Sequence, residues 1–175
     1  NILRMDFNKF TIKAQEAVQV AQQLALEHEH QAIECGHLLN GILQVDENVI
    51  PHLFQKLSVN LQSITSALEK VIQSYPRVSG GEKYLSPGAA SAINRALRSR
   101  NEFDDEYVTL EHLLLGILHG NDQISQLLKD AGVKENDLIS AVKAFRKGTK
   151  IDSQTAEDTF YALDRYAIHL NRQAE

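Results

Sequence analysis

The chain has little of what small secreted or membrane proteins depend on. Its 175 residues contain one cysteine, three prolines and no tryptophan. Because Cys35 has no second cysteine to pair with, no disulfide forms within the chain, which favours a reducing compartment. No basic residue flanks Cys35, so we expect a buried, inert thiol. No apolar run approaches the ~20 residues of a membrane-spanning helix, and residues 1–10 contain no hydrophobic stretch typical of a signal peptide.

The charge balance is acidic, with 18 Lys and Arg against 23 Asp and Glu and a formal net charge of −5. Binding to nucleic acid or to an anionic membrane surface needs a basic face that neutralises phosphates. We therefore expect neither as a partner. The hydrophobic fraction of 43% is sufficient for a buried core, and the length predicts one globular unit plus a remainder.

The spacing of apolar residues predicts helices. Leu61, Ile64, Leu68 and Val71 follow each other at steps of three and four, and no stretch alternates as a strand would. Residues that start helices precede these patterns: Thr11, Asn60, Ser86 before Pro87, Thr109 and Ser153. The sequence predicts no strands, and helices near 11–28, 36–45, 48–57, 60–75, 86–101, 110–119, 122–131, 135–147 and 154–172.

An internal repeat organises the chain. One constant shift carries Ala14, Ala17 and Ala21 onto Ala89, Ala92 and Ala96, and also carries His37-Leu38-Leu39 onto His112-Leu113-Leu114. The sequence thus predicts an all-α, pseudo-twofold duplicated four-helix repeat with eight helices and a C-terminal linker helix. The alanine stripes permit close packing and place the first helix of each copy at the centre.

Domain boundaries follow from this repeat. The first copy covers residues 10–75, the second covers 85–147, and a connector with Ser79-Gly80-Gly81 covers 76–84. We interpret residues 1–9 as an N-terminal extension, with residues 1–4, ahead of the only methionine, as a candidate expression remnant. Residues 148–175 match neither copy and are interpreted as a linker and the first helix of a following domain. Its apolar stripe comprises Phe160, Leu163, Ala167 and Leu170.

Three segments carry a family resemblance. Residues 10–17 (Phe-Thr-Ile-Lys-Ala-Gln-Glu-Ala), 34–39 (Glu-Cys-Gly-His-Leu-Leu) and 109–118 (Thr-Leu-Glu-His-Leu-Leu-Leu-Gly-Ile-Leu) resemble the doubled N-terminal domain of the Clp/Hsp100 AAA+ unfoldases. Residues 154–158 and 162–166 resemble the lead-in to the first AAA+ module in the disaggregase branch of that family. The chain has no Gly-x-x-x-x-Gly-Lys-Ser/Thr motif, so we expect no ATP hydrolysis by this segment.

The resemblance implies a function. The parent protein would be a hexameric disaggregase that uses ATP and Mg and works with the Hsp70 system in the bacterial cytoplasm. This segment would be a monomeric, non-catalytic module without cofactor or metal. It would capture unfolded or aggregated polypeptide through a shallow apolar groove with acidic flanks and pass it to the AAA+ pore.

The resemblance also implies polar site residues. Thr11, Asp105 and Glu111 match positions where the family has a threonine and two acidic residues linked to substrate handling. Each also has a structural interpretation. Thr11 is a candidate helix cap, and Glu111 lies in a first helical turn, where a carboxylate is favourable. Asp105 lies in an acidic loop that water would solvate.

Four apolar residues near the start of the second copy are candidates for the groove: Ile93, Leu97, Tyr107 and Leu110. Exposed apolar surface would recognise chains that have failed to bury their own. Amphipathic helices place core residues at the same spacing, so a core position is the alternative for each of the four.

Two other functions remain open from the sequence. One is docking of a folded adaptor on the repeat surface. The less favoured one is a helical metal hydrolase built on the densest group of possible ligands, His28, His30, Glu34, Cys35 and His37. Zinc ligands usually come as two closely spaced pairs, and here only His37 recurs in the second copy, as His112. We therefore interpret both imidazoles as packing and capping groups.

Overall fold

The computed structural model describes residues 6–158, and within them eight α-helices dominate. The all-α prediction is confirmed. The helices are α1 (Ile12–Glu27), α2 (Cys35–Val45), α3 (Val49–Lys56), α4 (Leu61–Ser74), α5 (Pro87–Phe103), α6 (Leu110–Leu118), α7 (Gln123–Asp130) and α8 (Glu135–Arg146). The predicted helix 154–172 lies mostly outside the described residues. Within its described part, 154–158, residues 156–158 are helical. No helix in the described range is long and apolar enough to cross a bilayer.

Side-chain caps fix the beginnings of four helices as predicted. The hydroxyl or amide oxygens of Thr11, Asn60, Ser86 and Thr109 each accept a backbone N–H three residues ahead. These bonds satisfy amides that have no partner inside the helix. Ser153 differs from the prediction, since residues 154–155 form a turn before the helical residues begin.

The centre of the core is formed by α2 and α6, which corrects the prediction that α1 and α5 are central. Every residue of α6 is buried, whereas α1 buries one face. A Cβ at Gly41 would lie 2.1 Å from the carbonyl oxygen of Ala17, and one at Gly116 would lie 2.3 Å from that of Ala92. The alanine stripes therefore do permit close packing, but it is packing of α1 on α2 and of α5 on α6.

Short strands, absent from the sequence prediction, join segments that precede helices. Parallel strands β1 (Ala32–Ile33) and β2 (Tyr84–Leu85) pair Ile33 with Leu85, and a parallel bridge pairs Phe10 with Val108. Pairs of two residues are too short for an alternating pattern to reveal. The repeat shift carries Phe10 onto Leu85 and Ile33 onto Val108, so the two pairings occupy equivalent positions. Duplication itself, with its boundaries, stays a prediction.

Candidate functional site

Three predicted polar residues converge on one buried cluster. Thr11 and Glu111 are fully buried, and Asp105 is 8% exposed. The predicted apolar residues do not form one surface, since Ile93 and Leu110 are core residues as folded. Leu97 and Tyr107 are half-buried.

Asp105 is held by three elements. Its carboxylate accepts a hydrogen bond from Nη1 of Arg146 at 2.7 Å and from the amide of Ile151 at 2.8 Å, and its Oδ2 lies 3.1 Å from Nε2 of His112. Burial alone would raise the pKa of Asp105. The contacts from His112, Arg146 and Ile151 outweigh burial and hold that pKa below its usual value. Asp105 is therefore an ionised, structurally fixed group. It is not the water-solvated loop residue that the structural interpretation of the sequence predicted.

His112 has a defined tautomer. Its Nδ1 accepts the backbone N–H of Thr109 at 2.8 Å, while the Thr109 hydroxyl accepts the backbone N–H of His112 in return. This reciprocal pair is a capping box with an imidazole in place of the usual carboxylate. Because Nδ1 is an acceptor, the proton of the neutral ring lies on Nε2, facing Asp105. Burial lowers the pKa of His112 and keeps the ring neutral.

Arg146 is the central cation of the cluster. Besides Asp105, it donates to the Thr109 hydroxyl at 3.2 Å, and its Nε lies 3.5 Å from the Glu111 carboxylate. Its guanidinium lies 5.5 Å from the centre of the Phe103 ring. A planar group with several fixed donors suits this bridging position better than lysine would.

Glu157 closes the cluster from the C-terminal side. Its carboxyl group accepts hydrogen bonds from the Thr11 hydroxyl and, at 2.9 Å, from the backbone N–H of Leu110. Burial raises the pKa of Glu157 well above its usual value, and the neighbouring Glu111 raises it further. One carboxyl group thus joins the first turns of α1 and α6.

Sequence reasoning missed Arg146 and Glu157. Arg146 carried a signal, because it continues the buried stripe of Leu138 and Val142 at steps of four along α8. A charged residue on an apolar stripe needs a buried partner. Glu157 carried none, because it meets Thr11 across 146 residues of sequence.

The equivalent place in the first half is filled differently. At the position matching Glu111 the chain has Gly36, and a Cβ there would lie 2.5 Å from the Tyr75 hydroxyl oxygen. Nδ1 of His37 accepts the N–H of Glu34, and its Nε2 lies 2.9 Å from Nδ1 of His30. Burial, and then the neighbouring His30, lower the pKa of His37 to about 4. The imidazoles are capping and packing groups, as predicted.

Metal chemistry has no support in the described part of the chain. No three or more His, Cys, Asp or Glu side chains within residues 6–158 are arranged to hold a metal ion. Cys35 is buried, and burial raises its pKa, as expected for an inert thiol. The metal-hydrolase alternative is therefore not carried forward.

An open groove of about 520 Å³ lies between α4 and α7. Its floor is apolar, with Ile64, Val71 and Leu127, and Asp130 stands at its rim. Leu97, Phe103 and Tyr107 are half-buried, and the Phe103 ring lies against His112 and Arg146 of the polar cluster.

Comparison with known proteins identifies relatives. Residues 9–131 match the family model described as the Clp repeat (R) N-terminal domain. The chain is 46% identical over 170 residues to the chaperone protein ClpB of Bacteroides thetaiotaomicron, which covers 97% of this chain and 20% of that protein. The chain thus spans about a fifth of the length of this curated relative.

Solved structures share the fold. The Hsp104 N-terminal domain from Candida albicans superposes with a TM-score of 0.74 at 20% identity, covering 85% of this chain and 98% of that chain. A complex of the ClpV N-domain with a VipB peptide superposes with a TM-score of 0.66 at 15% identity, covering 83% of this chain and 94% of that one.

Proposed function

The chain belongs to the Clp repeat N-terminal domain family, and on that premise we propose that it is the substrate-binding module of a ClpB-type protein disaggregase. The observation that carries the proposal is the 46% identity to a ClpB chaperone across nearly the whole chain. The module is non-catalytic. ATP and Mg, the hexameric assembly, the Hsp70 system and the cytoplasmic location belong to the proposed parent protein.

The ligand that we propose is non-native polypeptide. Support for a peptide ligand comes from the ClpV N-domain, a protein of the same fold whose structure was solved in complex with a VipB peptide. A segment of unfolded chain exposes apolar side chains that a folded protein would bury. A half-buried apolar surface beside carboxylates offers contact to such segments and to their basic residues.

We place the binding surface at Leu97, Phe103 and Tyr107. Phe103 and Tyr107 flank Asp105 in sequence, and Leu97 lies on α5, which leads into the loop that holds Asp105. Asp105 is one of the polar residues that the family resemblance links to substrate handling. The surface is small, and affinity is expected to be weak, because little area is desolvated once the cost of ordering the ligand is met.

Fluorescence anisotropy with labelled casein, a disordered polypeptide, tests this surface. We expect Leu97→Ser and Tyr107→Ala to weaken casein binding by about five-fold, the effect of losing about 1 kcal/mol of apolar contact. The matched control is Leu127→Ser, another half-buried leucine, which lies in the groove between α4 and α7. It should bind casein as the unaltered chain does.

Other results would change the assignment. Weakened binding by Leu127→Ser alone would move the substrate surface to the groove between α4 and α7. No casein binding by the unaltered chain, together with tight stoichiometric binding to one folded protein, would replace substrate capture by adaptor docking.

A further inference from the structure

The segment that follows α8 is folded back onto the polar cluster. We call residues 148–158 the strap. It begins after Lys147, whose left-handed backbone (φ 50°) ends α8 and reverses the chain. The strap then runs between the loop before α6 and the segment before α1, and touches both.

One end of the strap is anchored by Ile151. Its side chain is 1% exposed, its amide donates to Asp105 at 2.8 Å, and its carbonyl accepts the N–H of Glu106 at 3.0 Å. A buried apolar side chain flanked by two backbone hydrogen bonds holds this end in one register.

The other end is anchored by Gln154 and Glu157. The carbonyl of Gln154 accepts the N–H of Ile12 at 2.9 Å, and its side chain donates to the carbonyl of Asn8 at 3.1 Å. Glu157, fully buried, accepts from Thr11 and Leu110. Thus a single side chain closes the strap over the first turns of two helices.

We propose that the strap is an autoinhibitory closure: with Glu157 in place, the Thr11 hydroxyl, the backbone N–H of Leu110 and the Glu111 carboxylate are masked, and release of the strap makes them available to bound polypeptide. This inference rests on the proposed function. It explains how residues that resemble the family's substrate-handling positions are buried in this structure. Each of them meets the strap directly: Thr11 and Glu111 adjoin Glu157, and Asp105 bonds the amide of Ile151.

The anchoring favours local release. Ile151 and Glu157 are the fully buried residues of the strap, while Asp152 and Thr155 are exposed. A segment held by few buried side chains opens at a lower free energy than the helices beneath it. If only the open form binds, the apparent affinity is the intrinsic affinity multiplied by the open fraction. Weakening the strap then strengthens binding without any change in the contacts to the ligand.

Two variants weaken the strap at opposite ends. Glu157→Leu keeps a side chain of similar size but accepts no hydrogen bond from Thr11 or Leu110, and Ile151→Ala removes the apolar anchor. Asp152→Asn is the matched control, since it alters an exposed carboxylate of the same segment. Hydrogen exchange of residues 148–158 reports the strap, anisotropy of labelled casein reports binding, and thermal unfolding verifies that each variant is folded.

We expect amide exchange in the strap to rise about ten-fold in both weakened variants, the effect of losing ~1.4 kcal/mol of closure. Casein should also bind them about ten-fold more tightly, because the open fraction rises by the same factor. Asp152→Asn should match the unaltered chain in both measurements. Added casein should also raise strap exchange in the unaltered chain.

Contrary results are distinguishable. Exchange that stays unchanged in Glu157→Leu and Ile151→Ala refutes the closure. Faster exchange with casein affinity unchanged or weaker refutes masking, while casein binding itself remains. If none of the four proteins binds casein, the proposed function and the masking are both refuted. The exchange data then show separately whether the strap is closed over the cluster.

Discussion

Arg146 and Asp105, 41 residues apart in sequence, form a buried hydrogen-bonded ion pair with Nη1 and Oδ2 at 2.7 Å. The pair joins the last turn of α8 to the loop after α5, and the same carboxylate holds Ile151 of the strap. Breaking a buried pair leaves one charge without compensation, which costs more than the pair itself contributes.

Replacing Arg146 should therefore be strongly destabilising. We expect Arg146→Met to lower the free energy of unfolding by about 3–5 kcal/mol, because Asp105 stays buried without its cation. Urea unfolding followed by circular dichroism measures this change. Lys143→Met is the control, since Lys143 pairs with Glu102 at 3.8 Å on the surface and should cost less than ~1 kcal/mol. Equal effects of the two variants would contradict the central role of Arg146.

The close crossing of α5 on α6 predicts intolerance of side chains at Gly116. A Cβ there would lie 2.3 Å from the carbonyl oxygen of Ala92, which is backbone and cannot rotate away. Gly116→Ala should destabilise the protein by at least about 1–3 kcal/mol through forced separation of the helices.

The control for this prediction is Gly88, which lies near the start of α5. A Cβ at Gly88 meets only the Asp122 carboxylate, at an ordinary 3.5 Å. Gly88→Ala should be neutral or stabilising by up to about 1 kcal/mol, because alanine loses less chain entropy in a helix. A neutral Gly116→Ala in thermal unfolding would disprove the close approach.

The free energy of unfolding should fall as the pH is lowered, because His30 and His37 are buried as neutral imidazoles. The folded pKa of His37, about 4, lies below its ordinary value of 6.5, and that of His30 is lowered as well. The unfolded chain then binds more protons between these values, so the stabilisation is complete above pH 6.5 and is lost as the pH falls towards 4. The slope of the free energy of unfolding against pH is at most about 1.4 kcal/mol per pH unit for each such proton.

Urea titrations at several pH values measure this slope. In His30→Gln the slope of the free energy of unfolding against pH should be smaller by at least the contribution of one group, since the glutamine does not titrate and no longer lowers the pKa of His37. Gln55→Ala, which alters an exposed residue that does not titrate, provides the control and should leave the slope unchanged. A slope identical in all three proteins would show that the buried imidazoles are not its source.

Cys35 should be unreactive while the protein is folded. The side chain is 2% exposed, and burial raises its pKa, so little thiolate is present. Iodoacetamide at pH 8 should label it only at the rate of unfolding, and completely in urea. Ser79→Cys adds a thiol on the exposed connector, and this thiol should be labelled at the rate of a free cysteine in water. Rapid labelling of Cys35 in the unaltered chain would contradict its burial.

Local signals in the sequence located most of the helices. Apolar spacing and cap residues act within one or two turns, so Thr11, Ser86 and Thr109 start helices where the sequence placed them. The repeated histidines were likewise predictable as caps, because each bonds three residues away in sequence. The strands could not be predicted, because their two-residue pairings depend on where the halves meet.

The membership of the polar cluster was predicted in part. Thr11, Asp105 and Glu111 were selected by resemblance, and the structure brings them into one cluster. Their burial was not foreseen, since it depends on Arg146 and Glu157, which arrive from the far end of the chain. Ile93 and Leu110 illustrate the same limit, because helical spacing marks an apolar face without saying whether the face is covered.

The sequence by itself determined the all-α class, the starts of α1, α4, α5 and α6, the single inert thiol and the family resemblance, because each depends on composition or on neighbours within a few residues. Only the tertiary structure decided that α2 and α6 are central, that Asp105 pairs with Arg146, and that the strap lies over Thr11. Those outcomes depend on which distant segments pack against each other and exclude water from between them. A buried charge loses its hydration and therefore needs a partner, wherever in the chain that partner lies.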